Sequence, residues 1–217
     1  MKNEKAKNGI FYTVGEEIFN SVSHGVGILL SVAALTLLIV FAVWKSDGYG
    51  LASAIVYGIS LILLYSMSTV YHIVQNSAAK RILRIFDHSS IFVLIAGTYT
   101  PYLLMCMRNP VGWAIFGLIW GMAALGIVLN AIDLDRFSKI STLCYVLMGW
   151  GIVFTLPKIT RVIGAQGTAL LIAGGVVYTL GVIFYVLKKY RYMHSVWHLF
   201  VLAGSICHYL SILLYVL

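Results

Sequence analysis

Three polar clusters stand at the ends of otherwise apolar stretches, and they contain residue types that bind metal ions. Ser68 and His72 close one stretch, Asp87 opens the next, and His194 and His198 open the last. Residues four apart share one face of a helix, so Ser68 lies on the same face as His72, and His194 lies on the same face as His198. We therefore expect the two imidazoles of the late pair to point at one spot, where they could chelate a single ion.

These residues predict a zinc site. His72, His194 and His198 together would supply three imidazoles and leave a fourth position open, as in catalytic zinc centres. Asp87 is expected to be a fourth ligand or to hold and deprotonate a zinc-bound water; the alternative is a charge that only matches the helix dipole. The sulfur-free set favours zinc over copper(I), and Mg²⁺ or Ca²⁺ would need more carboxylates. The late pair is not an HExxH motif, which disfavours a zincin-type protease.

The other polar residues of the apolar stretches leave alternatives open. They are Glu17, Asn20, His24, His88 and His208. The first three share one helix face, which predicts either capping and helix packing or the lining of the mouth of the same cavity. His88 points about 100° away from its acidic neighbour, so it either supports the site or packs at a helix interface. His208 lies about 15 Å deeper along its helix, and we expect it to be packed or hydrogen-bonded.

Composition decides the environment in which this chemistry takes place. Of the 217 residues, 61% are hydrophobic and 10% are charged, whereas soluble domains are about 45–50% apolar and about 25% charged. These values exclude a soluble domain, a disordered chain and an ordinary nucleic-acid-binding domain, so no nucleic-acid partner is expected. The mean hydropathy of +0.94 predicts a membrane protein. The three Cys residues are isolated and form no CxxC motif, which argues against a thiolate metal site.

The apolar stretches predict an all-α integral membrane protein, because long runs without alternation exclude strands. Seven stretches are long enough to cross the hydrocarbon core, at approximately 21–44, 50–75, 87–107, 111–131, 140–157, 166–187 and 195–217. The short connections between them make neighbouring helices antiparallel. Residues 1–217 are therefore expected to form a single seven-transmembrane bundle, with residues 1–19 as a short cytoplasmic or interfacial segment.

The basic residues orient this bundle. Eleven Lys and Arg residues fall on the side of the N-terminus, including Lys80 in the connection 75–86, and four fall on the other side. The positive-inside rule then places the N-terminus in the cytoplasm and the C-terminus outside. The protein is expected to be a multi-pass protein of the cell (inner or plasma) membrane. With this topology the three polar clusters lie at one depth near the cytoplasmic face.

Glycine spacing predicts close helix packing at two places. Gly117 and Gly121 form a GxxxG spacing, and Gly174 and Gly175 are adjacent. Small residues let helix backbones approach closely in membranes. We therefore interpret these glycines as packing positions and not as ligand-binding positions.

Several of these motifs together resemble a known family. The resemblance is carried by Glu17-x-x-Asn20-x-x-Ser23-His24, Ser68-x-x-x-His72, Asp87, the segment from Ala96 to Pro101, the segment from Tyr178 to Tyr185, and His194-x-x-x-His198. With seven predicted spans, this set resembles the bacterial haemolysin III branch of the progestin and adiponectin receptor family. That family lies in a wider superfamily that includes the alkaline ceramidases, and the match covers essentially the whole chain.

The resemblance implies a function as well as a fold. It implies a zinc ion held by His72, His194 and His198 near the cytoplasmic side, with Asp87 at the zinc-bound water and Ser68 beside the site. In the eukaryotic receptors and ceramidases the corresponding chemistry is hydrolysis of a lipid amide such as ceramide. In the bacterial branch the family name records a membrane-lysing activity.

The leading hypothesis is a zinc-dependent intramembrane hydrolase that acts on a membrane lipid through an amide or ester bond. Asp87 would be the general base, and Ser68 would help to stabilise the developing oxyanion. One alternative is a haemolysin-like, membrane-permeabilising protein in which zinc only holds helices together. The polar groups of this sequence cluster at one end of the spans and do not run along a whole span, which disfavours a monomeric pore. A second alternative is a receptor or membrane-stress sensor with a structural zinc. The lipid substrate and the oligomeric state stay open.

Overall fold

Six long helices and no strand make up the part of the chain that the computed structural model describes, residues 12–187 and 189–217. They are α1 (Val14–Lys45), α2 (Gly48–Ile73), α3 (Ser77–Cys106), α4 (Pro110–Trp150), α5 (Leu156–Val186) and α6 (Met193–Tyr215), with a 3₁₀ turn, Gly151–Phe154, after α4. All six are long and apolar enough to cross a membrane, when the 3₁₀ turn is counted with α4. The predicted all-α membrane fold is confirmed.

The first helix starts earlier than residue 21, where the sequence placed the first span. Thr13 caps it, because the Thr13 hydroxyl accepts from Glu16 N at 3.4 Å while the Glu16 carboxylate accepts from Thr13 N at 2.8 Å. The same carboxylate accepts from Tyr192 N at 2.8 Å, which fixes the start of α1 to the start of α6. Glu17 and Asn20 are buried in the bundle. Their polarity therefore marks an interior helix face and not a segment outside the helix.

The third helix also begins earlier than predicted, so the connection expected at 75–86 is mostly helical. Asn76 caps α3 by accepting from Ala78 N and Ala79 N, both at 3.0 Å. Asp87 consequently lies well inside the helix and not in its first turn. Because the helix dipole acts only on the first and last turns, a match to the dipole does not explain this buried carboxylate.

The opposite ends of α2 and α3 are joined by an ion pair. Asp47 caps α2 by accepting from Tyr49 N at 3.0 Å and from Gly50 N at 3.1 Å. Arg108, just beyond the end of α3, forms a bidentate pair with the same carboxylate. The hydrogen bond from Arg108 lowers the pKa of Asp47 below its ordinary value. The pair thus connects the two helices at the end of the bundle far from the histidines.

The predicted spans 111–131 and 140–157 lie in one segment, Pro110–Phe154, which is interrupted at Asp133. Asp133 has extended backbone angles, φ −161° and ψ 93°. Its carboxylate accepts from Arg136 N at 3.0 Å, as an N-cap does. Among the described residues the candidate spans number six, so the count of seven is not confirmed and neither is the orientation of the termini.

A second interruption lies in α5, at Gly164. Its φ of 69° with ψ of −178° is open to glycine and strained for other residues. Residues 156–163 before it are helical, although the sequence placed the segment Pro157–Gly167 in a connection. The bend lets the segment before Gly164 run separately from the rest of α5.

The helices pack so that the polar faces of four of them meet. Helix α1 packs against α2 and α6, α2 against α3, α3 against α4, and α5 against α6. The side chains of Tyr57, Tyr65, Tyr102 and Phe92 are the bulky part of the core. Because α1 touches both α2 and α6, it closes the bundle at the level where the histidines lie.

Gly97 and Gly174 are among the glycines that permit close contacts, and the two glycines of the GxxxG spacing are not. A Cβ at Gly97 would lie 2.7 Å from Ser60 Cβ, and a Cβ at Gly174 would lie 2.6 Å from His208 Nε2. At Gly117 and Gly121 a Cβ would meet no atom of the described chain within 4 Å. The predicted close packing at the GxxxG positions is therefore wrong within this chain, because these positions face outward from the bundle.

We expect Gly97→Leu to lower the thermal stability of the purified protein, because the new side chain would push α2 away from α3 at Ser60. Overpacking of this kind costs about 1–3 kcal/mol. Gly121→Leu is the matched control, since space around Gly121 is open. Thermal unfolding in detergent measures both variants. Equal midpoints for the two would contradict the packing contact.

Candidate metal centre

Three imidazoles from two helices converge near one end of the bundle. His72 lies on α2, and His194 and His198 lie one turn apart on α6. Their ligand atoms all fall within 4.8 Å of one another, a grouping that could hold a metal ion. The Nε2 atoms of His194 and His198 are 3.1 Å apart, close to the edge of about 3.3 Å between two nitrogens of a tetrahedral zinc site. The structure thus brings together the three predicted ligands.

The orientation of His72 is fixed by Glu17. His72 Nδ1 lies 2.5 Å from Glu17 Oε2, and because a carboxylate only accepts, Nδ1 carries the proton. The buried Nε2 has no hydrogen-bond partner among the described residues. This leaves the Nε2 lone pair for a metal ion, and a carboxylate behind a ligating histidine is the usual arrangement in metal sites.

His198 is held in the same tautomer by α1. Its Nδ1 lies 3.3 Å from the carbonyl oxygen of Asn20, which can only accept a hydrogen bond. The Asn20 side chain in turn accepts from the Ser195 hydroxyl at 2.6 Å. The proton on Nδ1 leaves Nε2 as the lone-pair nitrogen that faces His194. Helix α1 therefore contributes orienting contacts to both helices that carry the imidazoles.

Lys80 balances the charge of Glu17 inside the bundle. Its ammonium lies 2.8 Å from Glu17 Oε1 and donates to the carbonyls of Tyr71 and Val74, both at 3.1 Å. Lys80 is 2% exposed. The sequence placed Lys80 in the connection 75–86, but the early start of α3 places it inside the bundle beneath the last carbonyls of α2, where a cation is favourable.

Asp87 and Ser68 lie at the same place as the histidine pair. They line a pocket of about 20 Å³ together with His194, His198 and residues that include His24 and His88. That volume holds about one water molecule or ion. Asp87 is 8% exposed, and its Oδ2 lies 3.4 Å from His88 Nδ1. The carboxylate predicted to act on water is therefore placed beside the imidazoles.

Two rings, those of His24 and Tyr12, cover the cluster from its sides. His24 stacks on His198 with ring centroids 3.6 Å apart. Tyr12 stacks on His194 at 4.8 Å and lies 5.5 Å from the His72 ring. The sequence left two alternatives for the polar face that contains His24, namely helix capping with packing and the lining of the cavity. His24 lines the cavity, and Glu16 takes part in the capping of the helix.

Sequence reasoning left Glu17 between helix packing and the lining of the cavity, and it did not assign Lys80 or Tyr12 to the site. Glu17 left a signal, because an acid on a polar face of an apolar helix needs a partner. Lys80 left none, since a lysine in a polar segment is typical of a membrane-protein loop. Tyr12 left none either, because a tyrosine near a span end is common.

The fold and the cluster define a multi-pass membrane protein with a three-histidine cluster in which His72 and His198 are buried and His194 is half-buried. The model of the family described as haemolysin-III related matches residues 12–209. The chain belongs to this family, which is part of the progestin and adiponectin receptor family, and it is a multi-pass protein of the cell membrane. The predicted resemblance is confirmed.

Relatives in bacteria and in mammals are similar to this chain. Hemolysin-3 of Bacillus cereus is 43% identical over 208 residues, 94% of this chain and 93% of the relative. The Hemolysin-3 homolog of Bacillus subtilis (strain 168) is 40% identical over 204 residues, 94% of this chain and 96% of the relative. The human monocyte to macrophage differentiation factor is 29% identical over 174 residues, 77% and 72% of the two chains.

We expect Glu17→Gln to weaken the binding of an added divalent metal ion, with zinc as the probe, by about 10- to 100-fold, the usual effect of removing a carboxylate behind a ligating histidine. Competition with a chelator of known zinc affinity measures the change. Glu16→Gln is the matched control, because the Glu16 carboxylate contacts Thr13 and the Tyr192 backbone and not a histidine.

Thermal unfolding scans of both variants, with and without chelator, separate a loss of affinity from a loss of fold. Equal zinc affinities for Glu17→Gln and Glu16→Gln, in folded protein, would contradict the orienting role.

Proposed function

We propose that this protein is a zinc-dependent hydrolase that acts within the membrane on a lipid amide or ester. The observation that carries the proposal is a buried carboxylate, Asp87, beside a three-histidine cluster at the end of an apolar cavity. Each part occurs in other settings, but their combination supplies a base, a metal centre and space for a lipid chain at one place. A metal-assisted hydrolysis of a lipid would use the same three parts.

His72, His194 and His198 are the residues that would hold zinc. Three neutral imidazole nitrogens without a thiolate suit zinc better than copper(I), magnesium or calcium. The contacts of His72 with Glu17 and of His198 with Asn20 favour the tautomers that expose Nε2. When bound, zinc supplies Lewis-acid polarisation of a carbonyl oxygen and lowers the pKa of water toward about 7.

The apolar cavity supports a lipid as the substrate. It has a volume of about 180 Å³ and is lined by aromatic and aliphatic side chains of α2 to α6 and the 3₁₀ turn. Leu64, Ile91, Trp197 and Val201 line both this cavity and the small pocket at Asp87. An acyl chain in the cavity would therefore bring its carbonyl end to Asp87 and the histidines, and membrane lipids are the proposed partners.

In this mechanism Asp87 moves the proton. It would take a proton from the attacking water as the water oxygen forms a bond to the carbonyl carbon. The Ser68 hydroxyl, which lines the same pocket, would donate to the carbonyl oxygen as negative charge develops there. Asp87 would then return the proton to the leaving nitrogen or oxygen as the bond from carbon to that atom breaks.

We also propose that the bundle crosses the membrane seven times, with the histidines near the cytoplasm. A straight helix over Pro110–Phe154, which has 45 residues, would be about 68 Å long, more than twice the hydrocarbon core of about 30 Å. The break at Asp133 supports two crossings in place of one. The excess of Lys and Arg on the side of the N-terminus supports a cytoplasmic N-terminus and an outer C-terminus.

Relatives named Hemolysin-3 favour a second candidate function, in which the protein permeabilises membranes and the metal only stabilises the bundle. Dye release from phospholipid vesicles, with and without a chelator, tests this candidate. Release by protein at low ratios to lipid, unchanged when Asp87 is replaced, would support it over hydrolysis.

We expect the purified protein to bind about one zinc ion, and we expect Asp87→Asn to abolish hydrolysis of lipid amides while zinc stays bound. His194→Ala should lose both zinc and hydrolysis. Asp133→Asn is the matched control, because Asn also caps helices and Asp133 is exposed and lines neither the cavity nor the pocket at Asp87.

Metal analysis and lipid mass spectrometry of membranes from cells that produce each variant measure the two properties. Stoichiometric zinc in single alanine variants of all three histidines would contradict the metal site. Hydrolysis at the wild-type rate by Asp87→Asn would contradict the base.

For the topology, we expect Gly48→Cys to react with a membrane-impermeant maleimide in intact cells, and Lys139→Cys to react only after the membrane is opened. Both positions are exposed, and the three native cysteines are first replaced by alanine. A Lys139→Cys variant that stays unlabelled in both conditions, as expected for a residue inside the bilayer, would overturn the seven-span proposal. Labelling of that variant in intact cells would overturn the orientation.

A further inference from the structure

The deep end of the apolar cavity contains a buried histidine that the proposed reaction does not use. His208 lines the cavity and is 6% exposed. Its buried Nδ1 has no hydrogen-bond partner in the described part of the chain. The ring is held in place, because it stacks on Tyr178 at 5.3 Å and lies against Gly174, where a Cβ would come within 2.6 Å of Nε2. The packed position expected from the sequence is therefore accompanied by an unmet hydrogen bond.

His208 differs from most polar side chains of the same cavity. The others with a hydrogen bond inside the protein are Thr98, Tyr99, Tyr145, Trp150, Tyr178 and Thr179. The Tyr102 hydroxyl lies near Ser211 without a well-formed hydrogen bond. Because Ser211 follows His208 by three residues, it lies on the same side of α6. An imidazole and a phenol hydroxyl are thus available at this end of the cavity.

Leaving a buried polar group unpaired is unfavourable, so a ligand that pairs with it is favoured. The position of His208 indicates which part of a lipid would reach it. Trp197, Val201 and His208 lie within about 40° of one another around α6, so they line one path. His208 is about 15 Å from His198 along that path, about half the thickness of the hydrocarbon core. An acyl chain whose carbonyl lies at Asp87 would place the distal part of the chain at His208.

We propose that His208, with Tyr102, forms a second binding subsite that recognises a hydroxyl group on the distal half of an acyl chain. A hydroxyl both donates and accepts hydrogen bonds, as does the neutral imidazole. The ligand hydroxyl and the imidazole would therefore hydrogen-bond to each other in a cavity that excludes bulk water. This subsite rests on the proposed function only in that an acyl chain occupies the cavity, and it does not require hydrolysis.

Competition binding on the purified full-length protein tests the subsite. A photoreactive analogue of stearic acid labels the protein, and stearic acid or 12-hydroxystearic acid competes for labelling. We expect wild type to prefer the hydroxylated acid by about two- to tenfold, as one neutral hydrogen bond provides. His208→Phe keeps a flat ring beside Tyr178 and should bind both acids equally.

Two further variants keep the result interpretable. Thr98→Val is the matched control in the same cavity, because the Thr98 hydroxyl is already bonded to the Leu94 carbonyl at 2.7 Å, and its preference should equal that of wild type. His208→Gln retains a donor and an acceptor, and it should retain part of the preference. The comparison of variants cancels any difference in how the two acids partition into detergent.

Equal competition by the two acids in wild type, or a preference that survives in His208→Phe, would overturn the subsite, and a bound water would then be the partner of His208. If neither acid competes, both the subsite and the lipid cavity of the proposed function fail. If the preference is present but no lipid is hydrolysed, the subsite stands and the hydrolase proposal alone fails.

Discussion

The buried pair of Glu17 and Lys80 is the interaction on which the histidine end of the bundle depends. A charge inside an apolar bundle is costly unless it is paired and hydrogen-bonded. Here the carboxylate of α1 is shared between the ammonium of α3 at 2.8 Å and the His72 ring of α2 at 2.5 Å. Three helices must therefore keep their relative positions for any of the three groups to remain satisfied.

Helix α6 joins this arrangement through neutral hydrogen bonds. Asn20, one turn after Glu17, holds Ser195 through its side chain and His198 through its backbone carbonyl. The geometry of two of the three imidazoles, His72 and His198, is thus set by contacts from α1 and not by the imidazoles alone. A site whose ligands are fixed by surrounding contacts binds a metal ion with less reorganisation. At the other side of the pocket the cavity walls are apolar, which suits a lipid chain beside a polar reacting group.

The sequence predicted the histidine cluster better than it predicted the limits of the helices. His72, His194 and His198 could be selected because ionisable residues are rare in spans, and the four-residue spacing already placed two of them on one face. The start of α1 at Val14 and of α3 at Ser77 was missed for the same physical reason in both cases. Polar residues such as Glu17 and Lys80 lower the hydropathy of a segment even when they point into the bundle. The GxxxG spacing at Gly117 failed because spacing alone does not say which side of a helix faces a neighbour.

The sequence by itself determined the membrane environment, the all-helical class, the family and the residues of the histidine cluster. These follow from composition and from spacing along one helix, which are local properties. Only the tertiary structure decided that Glu17 orients His72, that Lys80 is buried, and that His208 faces an apolar cavity with an unmet hydrogen bond. Each of these depends on contacts between helices far apart in the chain. Such contacts are set by how the helices rotate and cross as they pack, and a single sequence does not encode those angles in any local pattern.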